Sequence, residues 1–561
     1  MDFGKIGLTP MMARNAPGIS TIVDAVEDMT GGISSGLPSD IAKDILEIVR
    51  KGPRRECADP NMPEWDSFHP DPGKTAFVVK VGYDGTERSL MFTIGSLSRK
   101  SGSSNVTIEW GDGTSTTTTT TADLGTQTSD LTHTYSVAGY YMIQISDDIT
   151  LFRTCIYTAG GTYYNSNIPL CPQGAWSYVV SDGHTAGYWN NKNILKVVYA
   201  LQWGTSVTSG SWTYNYCINL EGRIPEWGPN MTSADVTYRF CQKLEGPIPE
   251  WNSRMLLPTN TYYDCTGLTG RIPEWNASIT IANGTYRGCF GLSGRIPEWN
   301  GKITNTDNTY RDCYGLTGRI PVWNNATTSS YGTYCGCYGL TGEIPEWSSN
   351  ATTAVETYAH CRGLVGSVPA WGENIINANS TYLYCSGLSG VVPEWNEKIT
   401  NARQTYYACL GLTGNIPDWN NAITTCESTY YLCTGLTGPV PEWNSVTASA
   451  YATYYMCCGI TGAVPEWNSV TTNVNYSYYA CSGLTGRIPK WGSAITSANY
   501  VYTWSIGLDG VWKELEGGTE RDPTDAELMP AKITSHLSTV SNTTNALMTK
   551  FLTSWGGSRA S

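Results

Sequence analysis

The sequence predicts a mainly β protein: a solenoid of about twelve coils of 24 residues, preceded by a β-sandwich and flanked by short helical ends. Three observations carry that expectation. The phrase "CTGLTGRIPEWN" at 265–276 returns at a fixed step, its Trp at 227, 251, 275, 299, 323, 347, 371, 395, 419, 443, 467 and 491. Cys217 to Cys481, Pro225 to Pro489 and thirteen Tyr from Tyr214 to Tyr502 keep the same step of 24 without insertion or deletion. The second observation is composition: 59 Gly, 21 Trp and 36 Tyr in 561 residues, with 15% charged, describe a turn-rich aromatic chain that is not helical. The third is a set of short alternating stretches between 74 and 150, separated by Gly and Ser/Thr-rich turns.

Taken in order, residues 1–57 read as a helical, anchoring segment. "SDIAKDILEIVRKG" offers Ser39 as N-cap, an apolar face of Ile41, Ile45, Leu46, Ile48 and Val49, and Gly52 as a stop. Residues 58–73 form a Pro-rich linker that carries a stray "PEW" at 63–65. Residues 74–150 form the sandwich, with strands expected in "TAFVVKVGY", "SLMFTIG", "NVTIEWGDG", "LTHTY" and "YYMIQIS" and the Thr run 116–121 as a solvated loop or edge strand. Residues 151–212 are an irregular N-terminal cap, with Trp203 one period before Trp227. The solenoid occupies 213–510. Its end is marked where Ser505 replaces the ladder Cys and Leu515 the Trp, and 511–561 read as a helical tail with Leu537, Val540, Leu547 and Phe551 as apolar candidates.

Within a coil the apolar course Tyr262, Cys265, Leu268, Ile272, Trp275, Ile279, Ala282, Tyr286 has steps of 3 or 4. Such steps suit a coil that turns several corners around a shared core, with Gly267 and Gly270 at the corners and Pro273 outside the hydrogen-bonded ladder. "WNASITIANGTYRGCFGLSGRIPEWN" at 275–300 resembles the BspA-like leucine-rich repeat, whose coils carry a Trp-Asn start, an Ile/Val-Thr-Asn step, a paired aromatic site, a Cys and then a Gly/Ser-Leu-Thr. Here Thr-Tyr stands where that family has Met-Phe, and "GRIPEW" is nearer to plant-type leucine-rich repeats. The resemblance implies a leucine-rich-repeat solenoid used for surface adhesion and for protein or glycan contact, without catalysis. "WGDGT" at 110–114, "HTY" at 133–135 and Gly139-Tyr140 resemble the polycystic-kidney-disease (PKD) family of immunoglobulin-like domains, which implies a spacer or interaction module.

Twelve of the eighteen Cys belong to one repeat position and read as buried thiols, because equivalent Cβ atoms on coils about 4.8 Å apart are too distant for a relaxed disulfide. No metal site and no cofactor is expected: "CGC" at 335–337 lacks a second ligand pair, and no phosphate-cradling or dinucleotide glycine pattern stands between a strand and a helix. His69, His133, His184, His360 and His536 form no catalytic set, so the chain is expected to be no enzyme. The net charge of -13 argues against nucleic acid, and no apolar run is long enough for membrane insertion. Glu226, Glu250, Glu274, Glu298, Glu346, Glu394, Asp418, Glu442 and Glu466 form an acidic column, with Arg223, Arg271, Arg295, Arg319 and Arg487 three positions ahead. A solvated, charge-compensated edge is the first reading there, and calcium the second.

Candidate ligand contacts stand beside the ladders: Tyr263, Tyr407, Tyr431, Tyr455 and Tyr479 after the repeated Tyr, and Phe290, Tyr314 and Tyr338 after the Cys. If the ladder rungs point inward, some of these rings point outward, where they could stack on sugars or anchor a protein; the alternative is that they are tolerated β-surface residues. The start "MDFGKIGLTPMMARNAPGIS" does not read as a signal peptide. An adhesin-like architecture assembled in the cytoplasm is therefore expected to be a bacteriophage fibre, spike or capsid-decorating protein. Its N-terminal segment would contact other virion proteins, its solenoid would face a host glycan or protein, and it would be a homo-oligomer. The alternative is a bacterial cell-surface or intracellular protein-interaction protein of the BspA-like type.

Overall fold

A computed structural model describes residues 62–82, 90–119, 129–154, 196–505, 507–511, 514–516 and 519–521. The expected anchoring segment 1–57 and the apolar tail residues 537–551 lie outside them. The chain divides into two compact units, one of residues 1–279 with 285–292 and one of residues 280–284 with 293–561.

The first unit opens with nine strands: β1 (Thr75–Val81), β2 (Met91–Thr93), β3 (Ser96–Arg99), β4 (Val106–Glu109), β5 (Ser115–Thr118), β6 (Thr132–Thr134), β7 (Gly139–Ile145), β8 (Ile149–Arg153) and β9 (Val197–Gln202). One sheet has the order β5-β4-β7-β1-β9, and β2 pairs with β6 and β3 with β8. Phe77 on β1 packs on Phe92 of β2 at 5.8 Å and on Phe152 of β8 at 5.6 Å, which closes a sandwich core. The Thr run supplies β5 as an edge strand paired to β4. The segment expected as a linker is packed where it is described. Met62, Trp65 and Phe68 cover the outer face of β1 and β9 at Ala76, Val78, Tyr199 and Leu201, and Trp65 Nε1 donates to Ala200 O at 3.1 Å. That packing follows from β1 itself, which is apolar on both faces and so needs a second cover.

The cap is built from sandwich strands. Thr150 on β8 accepts from Thr208 N, and Val198 on β9 accepts from Glu221 N, as a preceding coil would do. Trp203 stacks on Trp227 at 5.9 Å. Two narrow parallel ladders then run through this unit, Gly222 to Leu244, Gly246 to Leu268 and Gly270 to Leu292 on one side, Ser209 to Ser233 to Leu257 on the other.

The second unit repeats the same construction. Its Leu-x-Gly ladder widens into a five-stranded parallel sheet of Gly366–Ser367, Leu388–Val391, Leu412–Asn415, Leu436–Pro439 and Ile460–Thr461. The opposite ladder runs from Ile281 through Asn305, Asn377 and Asn473 to Ser497. The tail expected to be helical from 511 starts as strand: Leu508–Val511 pairs in parallel with Gly486–Ile488, and Glu514–Glu516 pairs antiparallel with Thr519–Arg521. The reason is the open edge of the last coil, whose backbone groups template one more strand.

Every position of the expected inward course is buried, Tyr262, Cys265, Leu268, Ile279, Ala282 and Tyr286 completely and Ile272 and Trp275 to within 7%. The two glycines of the phrase have different tasks. Gly270 takes φ +84, a left-handed corner. Gly267 is not a corner; a Cβ there would meet Leu244 O at 2.2 Å, so it permits the close approach of the neighbouring coil. Polar ladders join the coils beside the apolar ones. Thr381 Oγ1 lies 2.9 Å from both Ala378 O and Ala354 O, and Asn420 Nδ2 bonds Ile399 O at 3.0 Å while its Oδ1 accepts from Ala422 N and Ile423 N at 2.8 Å.

Candidate functional site

The Cys ladder belongs to the core. All fifteen cysteines among the described residues are free thiols, and the twelve of the ladder are buried. Each does more than fill space: Cys385 Sγ donates to Tyr358 O at 2.9 Å and Cys409 Sγ to Tyr382 O at 3.0 Å, one coil back. Ser505, which replaces the Cys, keeps that bond to Tyr478 O at 2.6 Å. Burial pushes these thiols well above their ordinary value, as at Cys361 and Cys409, so they are poor nucleophiles. The ladder phenols are buried too. Trp323 Nε1 donates to Tyr358 OH at 2.8 Å and Trp419 Nε1 to Tyr454 OH at 3.1 Å.

The acidic edge is solvated. Arg319 pairs with Glu298 at 2.6 Å and Arg271 with Glu250, all four side chains at least half exposed, so these pairs contribute little. Among the described residues no group of three or more His, Cys, Asp or Glu is placed to hold a metal ion. In the sandwich, the "WGDGT" and "HTY" residues meet. His133 Nε2 lies 2.7 Å from Asp112 Oδ2, Trp110 stacks on His133 at 5.0 Å, and Tyr135 OH donates to Trp110 O at 2.9 Å. Desolvation opposes ionisation of Asp112, but bonds from Thr114 and His133 outweigh it and hold the carboxyl down to about 2. The cluster braces a strand end.

The candidate rings divide into three situations. Tyr263 is 8% exposed, with the guanidinium groups of Arg239 and Arg287 each 4.8 Å from its ring centre. Tyr314 is 6% exposed and stacks under Tyr338 at 5.1 Å. These two are packing residues and do not belong among the outward rings, a correction to their place as candidate contacts; Phe290 and Tyr338 are half-buried. The remaining four form one column. Tyr407, Tyr431, Tyr455 and Tyr479 stack face to face at 4.3, 4.3 and 4.6 Å with planes within 4° of parallel. Tyr384 and Trp504 extend the column at either end, each at 5.2 Å. The hydroxyls are hydrogen-bonded along it, and burial, followed by the neighbouring phenols, pushes Tyr455 and Tyr479 up to about 12.

This geometry redirects the expected chemistry. Inside the column each ring face is covered by the next ring, so sugars cannot stack on Tyr431 or Tyr455; the column offers solvent its edges and a row of hydroxyls. Open ring area lies beside it, on residues sequence reasoning did not single out. Tyr451 is 38% and Tyr500 51% exposed. Tyr476 sits between them, 5.9 Å from Tyr451 and 5.3 Å from Tyr500, and is braced on Tyr455 and Tyr479 at 6.3 and 6.0 Å. Their signal was available: Tyr476 and Tyr500 stand two residues before the ladder Tyr, at the period of 24.

A family model described as "Mycoplasma protein of unknown function, DUF285" matches residues 355–467, within the second unit. No curated protein matches the chain. Among solved structures, the chain is similar to a leucine-rich cell-surface protein from Faecalibacterium prausnitzii, with 14% identity, 55% of this chain and 76% of that one covered, and a TM-score of 0.24. It is also similar to a chain of the TLR13–ssRNA13 complex, with 12% identity, coverage of 51% and 43%, and a TM-score of 0.23. With scores this low, the leucine-rich-repeat solenoid rests on the chain's own 24-residue coils and parallel ladders.

Proposed function

We propose that the protein is a non-enzymatic interaction protein whose solenoid presents the aromatic corner of residues 403–504 to a partner at a surface. The observation that carries this reading is the column Tyr407, Tyr431, Tyr455, Tyr479 with its exposed flank, a rigid array of large rings held at low entropic cost. Chemistry is disfavoured there because the phenols stay protonated near neutral pH, and they are not poised as acids or bases. The test is adhesion of the labelled full chain to bacterial cells and envelope preparations, beside a variant with Tyr451→Ser and Tyr500→Gly. Adhesion weakened in the variant, with melting unchanged, is expected; equal adhesion overturns the reading.

The finer assignments are a bacterial cell-surface protein and a component of a phage particle with a PKD-like spacer. Fractionation separates them: recovery in purified virions supports the particle, and recovery in an envelope fraction without virions supports the cell surface.

A further inference from the structure

We propose that the three coils containing Tyr454, Tyr478 and Tyr502 form a subsite for an uncharged polysaccharide, laid along the flank of Tyr451, Tyr476 and Tyr500. The inference deepens the interaction reading above and rests on it.

The first ground is charge. The corner stretches "YATYYM" (451–456), "NYSYYA" (475–480) and "NYVYTW" (499–504) contain no Lys, Arg, His, Asp or Glu. The same corner at 307–312 and 355–360 carries Asp307, Arg311, Asp312, Glu356 and His360. A surface without cations on a chain of net charge -13 repels anionic glycans and nucleic acid, and it imposes no ion-pair desolvation on a neutral ligand.

The second ground is ring geometry. Tyr500 has one face on Tyr476, with planes 17° apart, and is half exposed, whereas Tyr451 meets Tyr476 edge-on at 73°. Open ring faces of this kind take the C–H face of a pyranose; Tyr476 and Tyr500 stand one coil apart at the same position, and Tyr451 adds a third ring one residue off that register. The hydroxyl row of Tyr431, Tyr455 and Tyr479 lies beside them, each group both donor and acceptor, as sugar hydroxyls require.

The third ground is the freedom of the slot that Tyr476 and Tyr500 occupy. Tyr476 and Tyr500 have φ +58 and +54, a region that costs a non-glycine residue about 1–2 kcal/mol. Gly284 and Gly332 fill the same slot in other coils at φ +60 and +57, so the backbone does not need Tyr there. Val236, Glu356, Gln404 and Ala452 hold the slot at φ +50 to +56 as well, so the slot accepts any side chain and its occupant is free to be chosen for what it presents.

The experiment is native affinity electrophoresis of the full chain in gels containing neutral glucans, mannans or galactans, and in parallel gels containing polygalacturonate. At least one neutral polysaccharide should retard the chain, with no dependence on salt. Tyr451→Ser with Tyr500→Gly should weaken that retardation about tenfold, the worth of one to two aromatic contacts. Glycine suits the φ of residue 500, so this variant keeps its fold, checked by an unchanged melting temperature, and Tyr500→Trp should retain binding. Retardation by polygalacturonate alone, by none of the gels, or equally for the variant overturns the inference. Adhesion to a protein surface through the same corner, without retardation by any neutral glycan, overturns the polysaccharide and leaves the interaction reading standing.

Discussion

The corner at 307–360 and the corner at 451–504 stand on the same backbone and differ in charge: each has an exposed Tyr in one shared slot, Tyr331 and Tyr451, but only the first carries ion pairs. In the first, Arg311 reaches Glu356 at 2.6 Å and Asp312 at 3.8 Å, with Asn308 alongside, an ion-pair network about a quarter exposed. In the second, Met456 and Ala480 are buried beneath Leu432, Tyr455, Tyr479 and Trp504, without a charge. Beneath both lies the same interior: Tyr334 and Tyr358 stack at 5.8 Å, and Tyr454 and Tyr478 at 5.4 Å. The difference teaches where selection for folding stops. Interior columns repeat because each rung packs on its neighbours above and below, so one odd rung harms two interfaces. Corner residues touch fewer neighbours and can change kind within a few coils.

Perturbing the two layers should therefore give effects of different size. The largest belongs to the interior: Tyr358→Ala removes a fully buried ring stacked on two others and leaves Trp323 Nε1 without its acceptor. It should cost about 3–5 kcal/mol in denaturant unfolding. Next is the aromatic corner, where Tyr431→Ala opens a gap between two stacked rings and should cost about 1–3 kcal/mol. A freely solvated Tyr would have left melting unchanged. In the charged corner, Glu356→Gln should cost about 1 kcal/mol, less at high salt, because the pair is only partly buried.

The smallest expected difference tests the thiol ladder. Cys385→Ser keeps the bond to Tyr358 O, as Ser505 does to Tyr478 O, and should be more stable than Cys385→Ala by about 1 kcal/mol. The sandwich offers a pH test. The Asp112 carboxyl is depressed in the fold, so its contribution is fully present above the ordinary carboxylate value near 4 and is lost as pH falls toward about 2. Thermal melting of Asp112→Asn should lack that component of the acid transition.

Much of this was legible in the sequence, for physical reasons. A step of 24 with no gaps leaves only stacked coils, and the inward course follows from steps of 3 and 4. The Thr before eleven of the thirteen ladder Tyr, with Ser477 and Val501 in the last two, was harder to read: a buried hydroxyl is polar by composition and structural by its bonds to two carbonyls. Strand β9 was hidden because its pairing to β1 joins residues far apart in the chain. The site was half legible. Tyr407, Tyr431, Tyr455 and Tyr479 stood out by spacing, but spacing does not say whether rings on adjacent coils face solvent or each other. Tyr476 and Tyr500 share the period of 24, but the period does not say that their rings are left open beside the column, and Tyr451 stands one position off that register.

The central claim is that binding belongs to the neutral aromatic corner and not to the charged one. Hydrogen–deuterium exchange of the full chain, free and on the surface it adheres to, tests it most directly. The account predicts added protection in peptides spanning 451–504 and no change across 307–360. Protection confined to 307–360, or to the sandwich, would contradict it.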